Sequence, residues 1–128
     1  TTRPIYTQCS SMFHLMKNGA DNLSSLPSNH DPKARDPRTY PLISADKKTL
    51  WLVQVDGRQD WFSCGMSHDE MLVLARKLGA ANVTNLDGGG SSVMWVYDTA
   101  AGKGSVVNSV SDSKGERNCL NYMLVKVK

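Results

Sequence analysis

The chain has 128 residues, 40% of them hydrophobic, and a formal net charge of +3. That length fits one domain with a modest core, and its Lys and Arg residues are scattered among acids, which argues against a nucleic-acid partner. No apolar run approaches a membrane span, and the N-terminus lacks the basic-then-apolar pattern of a secretory signal, though a leader removed upstream leaves no trace.

From Ile5 to Leu15 the sequence is mixed and apolar enough for a strand or two, and Lys17-Asn18-Gly19 reads as a hairpin turn. Cys9, Cys64 and Cys119 are far apart and odd in number, so they form neither a zinc pattern nor a full disulfide framework. They read as buried thiols, with one bridge as the alternative in an exported protein. His14, His30 and His68 show no ligand spacing, so neither a metal nor another cofactor is implied. Pro27 to Pro41 is proline-rich, charged and nearly devoid of apolar residues, the composition of a loop. Leu50 to Val55 is rich in β-formers with little polar alternation, which predicts a central strand buried on both faces.

Ser67-His68-Asp69-Glu70 is a capping box and starts a helix whose apolar positions are Met71, Leu74, Ala75 and Leu78. Arg76 and Lys77 suit its negative end and Gly79 its left-handed cap. Asn82 to Leu86 then reads as a short strand and Val93 to Tyr97 as another, with a turn over Asp98 to Gly104. Val106-Val107 is a third short strand, Ser109 to Arg117 a polar loop, and Leu120 to Val127 a closing strand. The count predicts an α+β fold, a mixed, curved sheet with one principal helix packed on it.

Between two of these strands lies Asp87-Gly88-Gly89-Gly90-Ser91-Ser92. Three successive glycines reach positive φ cheaply and let backbone N–H groups converge, which suggests an anion nest flanked by a carboxylate and two hydroxyls. A tight turn between strands is the plain alternative. Other polar clusters also sit at strand ends: Arg38 and Thr39, Asp56 to Gln59, and Asp112 through Arg117. Taken singly, each charge suits a solvated surface. Together, Arg38, Arg58 and Arg117 can fork onto phosphate oxygens, while Asp56, Asp87, Asp112 and Glu116 supply more carboxylates than anion binding needs.

In order, the chain carries Asp36-Pro37-Arg38-Thr39, Val55-Asp56-Gly57-Arg58-Gln59, Gly65-Met66-Ser67 and Asn85 through Ser92. Asn108, Ser111-Asp112, Glu116-Arg117 and Asn121 follow. This series resembles the phosphodiester glycosidase family over nearly all of residues 35–127. The resemblance implies an exported or cell-surface domain that hydrolyses the bond between a sugar's anomeric carbon and a phosphate, without a cofactor. The implied substrate is a carbohydrate phosphodiester, such as an N-acetylhexosamine 1-phosphodiester. Charge neutralisation by arginines would come first, and Asp87 and Glu116 would share the carboxylate roles at the sugar, with Asp56 as a third candidate. Which is acid, base or nucleophile stays open, and a non-catalytic sugar-phosphate-binding module is the rival reading. Arg38, Thr39, Arg58, Gly88 to Ser92, Asp112 and Arg117 would bind the substrate.

Two departures stand out. Tyr40-Pro41 replaces the small residues usual after Arg-Thr, which puts the pocket floor in question. The family's N-terminal Asn-Gly-Gly-Phe-Phe-like motif has no counterpart, so residues 1–128 read as the C-terminal part of one domain whose core an N-terminal portion would complete.

Overall fold

The computed structural model describes residues 13–119 and 122–126. β1 (Phe13–Lys17) returns as β2 (Ala20–Asp21) through Asn18 and Gly19, at φ 51° and 82°. Two left-handed residues in succession match the twist of a hairpin, as Lys17-Asn18-Gly19 predicts. β3 (Arg38–Ser44) and β4 (Leu50–Val55) form a second hairpin, and β5 (Ala80–Asn85) inserts between β1 and β3. The sheet order is β2-β1-β5-β3-β4, and every ladder among the described residues is antiparallel where a mixed sheet was expected. β6 (Trp95–Asp98) and β7 (Lys103–Val106) make a separate two-stranded ribbon.

The helix α1 (His68–Leu78) begins at the capping box: the Ser67 hydroxyl accepts the Glu70 N–H at 3.2 Å and the Glu70 carboxylate accepts the Ser67 N–H at 3.0 Å. It ends at Gly79, φ 78°, whose N–H closes onto the carbonyls of Ala75 and Arg76. His68, Met71, Leu72 and Ala75 form its buried stripe, while Leu78 is exposed. The stripe is rotated by part of a turn from the predicted one. It covers one sheet face, where Phe13, Leu15, Tyr40, Leu42 and Val83 complete a single core. This is the α+β arrangement of one principal helix on a sheet.

Four local expectations change. β4 is an edge strand, with Leu50 46% and Leu52 39% exposed. Its residues are apolar on both sides, but the helix covers only one, so Trp51, Val53 and Val55 pack against the core and the two leucines do not. The loop predicted to reach Pro41 ends at Pro37. β3 tolerates Pro41 because that residue pairs with Leu52 of β4 and has no register partner in β5. Cys64 and Cys119 are free and exposed rather than buried. Residues 122–126 carry no strand. Residues 5–12 of the first expected strand, Cys9, Leu120, Asn121 and Val127 lie outside the described residues.

Candidate functional site

The start of β3 and the ends of β4 and β5 meet at one end of the sheet. Arg38 is in register with Val55, and the Leu86 N–H extends β5 onto the Thr39 carbonyl at 2.9 Å. Around Asp36-Pro37 the loops cross with no room for side chains. A Cβ on Gly88 would lie 2.8 Å from the Pro37 carbonyl oxygen, and one on Gly57 would lie 2.7 Å from Gly65 Cα. These obstacles are backbone, which cannot swing aside as a side chain does. The glycines of three separate motifs therefore serve one purpose, close convergence on Asp36-Pro37.

The converging loops enclose an open cleft of about 480 Å³. Asp31, Asp36, Arg38, Arg58, Asp87 and Arg117 supply its charges, and Gly88 to Ser91 form one wall. Arg38 is only 8% exposed. Its Nη2 donates to the Ala34 carbonyl at 3.1 Å and to Asp36 Oδ2 at 3.3 Å, while its buried Nε–H meets no acceptor among the described residues. Asp36 Oδ1 accepts from Arg58 Nε at 2.9 Å, so one carboxylate holds two guanidiniums at the cleft. Arg117 donates to Asp112 at 2.9 Å and packs its guanidinium where a side chain on Gly90 would otherwise stand.

The glycine loop does not behave as an open anion nest. Gly88 N–H donates to Asp87 Oδ1 at 2.9 Å and Gly89 N–H to the Pro37 carbonyl at 3.0 Å. The N–H groups of Ser91 and Ser92 close a 3-10 turn onto Gly88 and Gly89. With those donors directed into the loop, the groups left to receive an anion in the cleft are the guanidiniums of Arg38, Arg58 and Arg117.

The other predicted site residues stand outside this lining. Asp56 accepts from Asn108 Nδ2 at 3.0 Å and from the Ser109 N–H at 3.0 Å. It fastens the segment after β7 to the end of β4. Thr39 lies 2.9 Å from Gln54 Oε1 and 3.4 Å from the Ser92 hydroxyl, and Ser92 is buried behind the loop. The hydrogen bond from Arg117, then that from the Lys114 N–H, holds the Asp112 carboxyl below its ordinary range. Glu116 is exposed and does not line the cleft, although its neighbour Arg117 does. Conversely, Asp31 and His30 line the cleft without having been singled out as site residues, because an aperiodic proline loop gives no signal of where its side chains point. Asp36 was legible as part of Asp36-Pro37-Arg38-Thr39, but its role in pairing two arginines depends on the fold.

Tyr40 belongs to the core rather than to the cleft floor. Its hydroxyl lies 2.9 Å from His68 Nδ1, and burial pushes its pKa up. Burial, and then the positive charges of Arg38 and His30, push the His68 imidazole down to about 4. His68 Nε2 is buried and meets no hydrogen-bond partner.

Among the described residues no group of three or more His, Cys, Asp or Glu is arranged to hold a metal ion. No helix among them is long and apolar enough to cross a membrane. No curated protein matches the chain. Among solved structures, it is similar to a Burkholderia pseudomallei K96243 protein named as a candidate exported protein, with 43% identity over 65% of this chain and a TM-score of 0.53. The chain spans 14% of that protein's length. The phosphodiester glycosidase profile matches residues 6–126, which is nearly the whole sequence. With the Asp-Pro-Arg-Thr, Asp-Gly-Arg and triple-glycine segments converging on one cleft, the chain belongs to the phosphodiester glycosidase family.

Proposed function

We propose that this cleft hydrolyses a glycosyl phosphodiester, cleaving between the sugar's anomeric carbon and the phosphate, with an N-acetylhexosamine 1-phosphodiester of an exported glycan as substrate class. The observation that carries the reading is the convergence of Arg38, Arg58 and Arg117 on one cleft beside Asp87. Guanidiniums gathered in this way fork onto the oxygens of a phosphate. Arg58 and Arg117 add charge at the rim and neutralise the leaving phosphate.

A neutralised phosphate ester departs without needing a strong proton donor, so the heavier demand falls on the oxocarbenium-like sugar. Asp87 stabilises that charge or activates water. Asp31, whose Oδ1 accepts the Lys33 N–H at 2.8 Å, is a second carboxylate in the cleft, and Glu116 has no part in this reading. The identity with a candidate exported protein supports export of this chain. The uncovered apolar side of β4 supports its being the C-terminal part of a larger domain.

The test is turnover of the p-nitrophenyl phosphodiester of N-acetylglucosamine by the full natural polypeptide, read as release of the free sugar. Asp87→Asn keeps shape and removes charge, so turnover is expected to fall by about a hundredfold or more with the melting temperature nearly unchanged. Saturable binding without turnover by the parent would establish the non-catalytic module instead. Comparable turnover by folded Asp87→Asn would remove Asp87 from the reaction.

A further inference from the structure

Between Gly57 and Gly65 the chain makes a turn that places Trp61 fully in solvent and leaves Phe62 66% exposed. Adjacent aromatic side chains normally withdraw such surface from water. The turn is nevertheless clasped. Gln59 and Ser63 pair across its neck at 3.1 Å and 3.0 Å, and the Ser63 hydroxyl donates to the Asp56 carbonyl at 2.6 Å. Ser109 grips the Gln59 side chain from the other side, with both contacts at 2.8 Å. Trp61 itself sits at φ 58°, a left-handed conformation that is costly for a bulky side chain. The fold thus holds an aromatic pair outward.

Beside this pair lies a broad depression of about 610 Å³ that Arg35 also lines. Arg58 lines both the depression and the arginine cleft, so the two basins adjoin at one guanidinium. We infer that Trp61 and Phe62 form a stacking platform for a hexose ring esterified to the far side of the phosphate, the leaving half of the substrate. The inference rests on the phosphodiester reading above. A phosphate seated at Arg58 has one ester arm in the cleft with Asp87 and the other over the aromatic turn. The C–H face of a pyranose covers an indole well, and its hydroxyls suit Arg35 and Asp60 at the edge of the same depression.

The experiment compares two diesters of N-acetylglucosamine 1-phosphate, one to a hexose and one to methyl, in the full natural polypeptide. Trp61→Ala is expected to raise KM for the hexosyl diester about tenfold and to leave the methyl diester unchanged, with Trp61→Phe restoring most of the loss. Equal loss on both substrates, or a lowered melting temperature, would show that Trp61 acts through the fold of its turn and not as a platform, and no change on either would also overturn the platform. A second readout does not depend on turnover: a hexose phosphate monoester, glucose 6-phosphate, is expected to change indole fluorescence saturably in the parent and not in Trp61→Ala. Inorganic phosphate is expected to give no Trp61-dependent change. If neither diester is cleaved, the hydrolytic reading fails by itself. The titration then decides the platform, and a response identical in parent and variant would eliminate it.

Discussion

At Arg38, a charged group has been taken almost wholly out of water while one of its donors has no partner among the described residues. Burying it costs free energy, which its bonds to Ala34 and Asp36 offset only in part. Arg38→Lys keeps the charge but presents one ammonium, which cannot hold the Ala34 carbonyl and Asp36 and still reach the substrate. Because a charged hydrogen bond contributes about 1.5–3 kcal/mol, kcat/KM on a glycosyl phosphodiester is expected to fall about 10- to 100-fold. A smaller loss than that of Arg117→Lys, whose guanidinium is half exposed and already paired with Asp112, would shift the anchor away from Arg38. His68 makes a different residue-scale prediction, in stability. Its folded pKa is depressed to about 4 from 6.5, so the unfolded chain takes up the proton first as pH falls. The stability contributed by neutral His68 is complete above pH 6.5 and is lost toward pH 4, by about 2–3 kcal/mol. Urea midpoints measured across that window should fall more steeply for the parent than for His68→Gln; parallel curves would mean that His68 is not the titrating group.

At the scale of elements, the glycine loop separates two effects that its sequence runs together. A methyl on Gly88 meets the Pro37 carbonyl at 2.8 Å, whereas a methyl on Gly89 meets Arg58 Nη1 at 3.0 Å, the far end of a mobile side chain. Gly88→Ala must therefore shift backbone, and its melting temperature should drop by roughly 8 °C or more, the equivalent of about 2 kcal/mol. Gly89→Ala, at φ 60°, is expected to cost about 1–2 kcal/mol and, by displacing Arg58, to impair phosphate recognition more than folding. The reverse ranking in calorimetry would show that the loop's crossing over Pro37 does not set its geometry. The same loop shows what could be read beforehand. Local chemistry identified the capping box at Ser67, the left-handed end at Gly79 and the Asn18-Gly19 hairpin, because each depends on neighbours in sequence. β4 was misplaced as a central strand because its composition does not reveal which face the helix covers. The anchoring of Asp56 to Asn108 and Ser109 spans more than fifty residues of sequence, so nothing local announces it. The cleft-lining side chains from the proline loop had no periodicity to announce them.

For the molecule as a whole, the question is what the exposed apolar surface does. Ile43, Leu50 and Leu52 lie on exposed positions of β3 and β4, every residue of β6 is exposed, and Tyr122, Leu124 and Val125 are largely uncovered. Scattered apolar residues are ordinary on a surface, but contiguous strands of them mark places where another layer packs. The core cluster packs under α1. The buried hydrophobic residues among those described number ten, a small core that leaves little margin over the conformational entropy of ordering the loops. Residues 1–128 alone are therefore expected to melt broadly, to bind a hydrophobic dye such as ANS, and to hydrolyse a glycosyl phosphodiester poorly. If a further layer covers these strands, a polypeptide that supplies it, in one chain or as a co-expressed segment, is expected to melt cooperatively, to exclude the dye and to cleave the diester. A sharp melt, no dye binding and full turnover from residues 1–128 by themselves would show that the exposed strands need no covering layer.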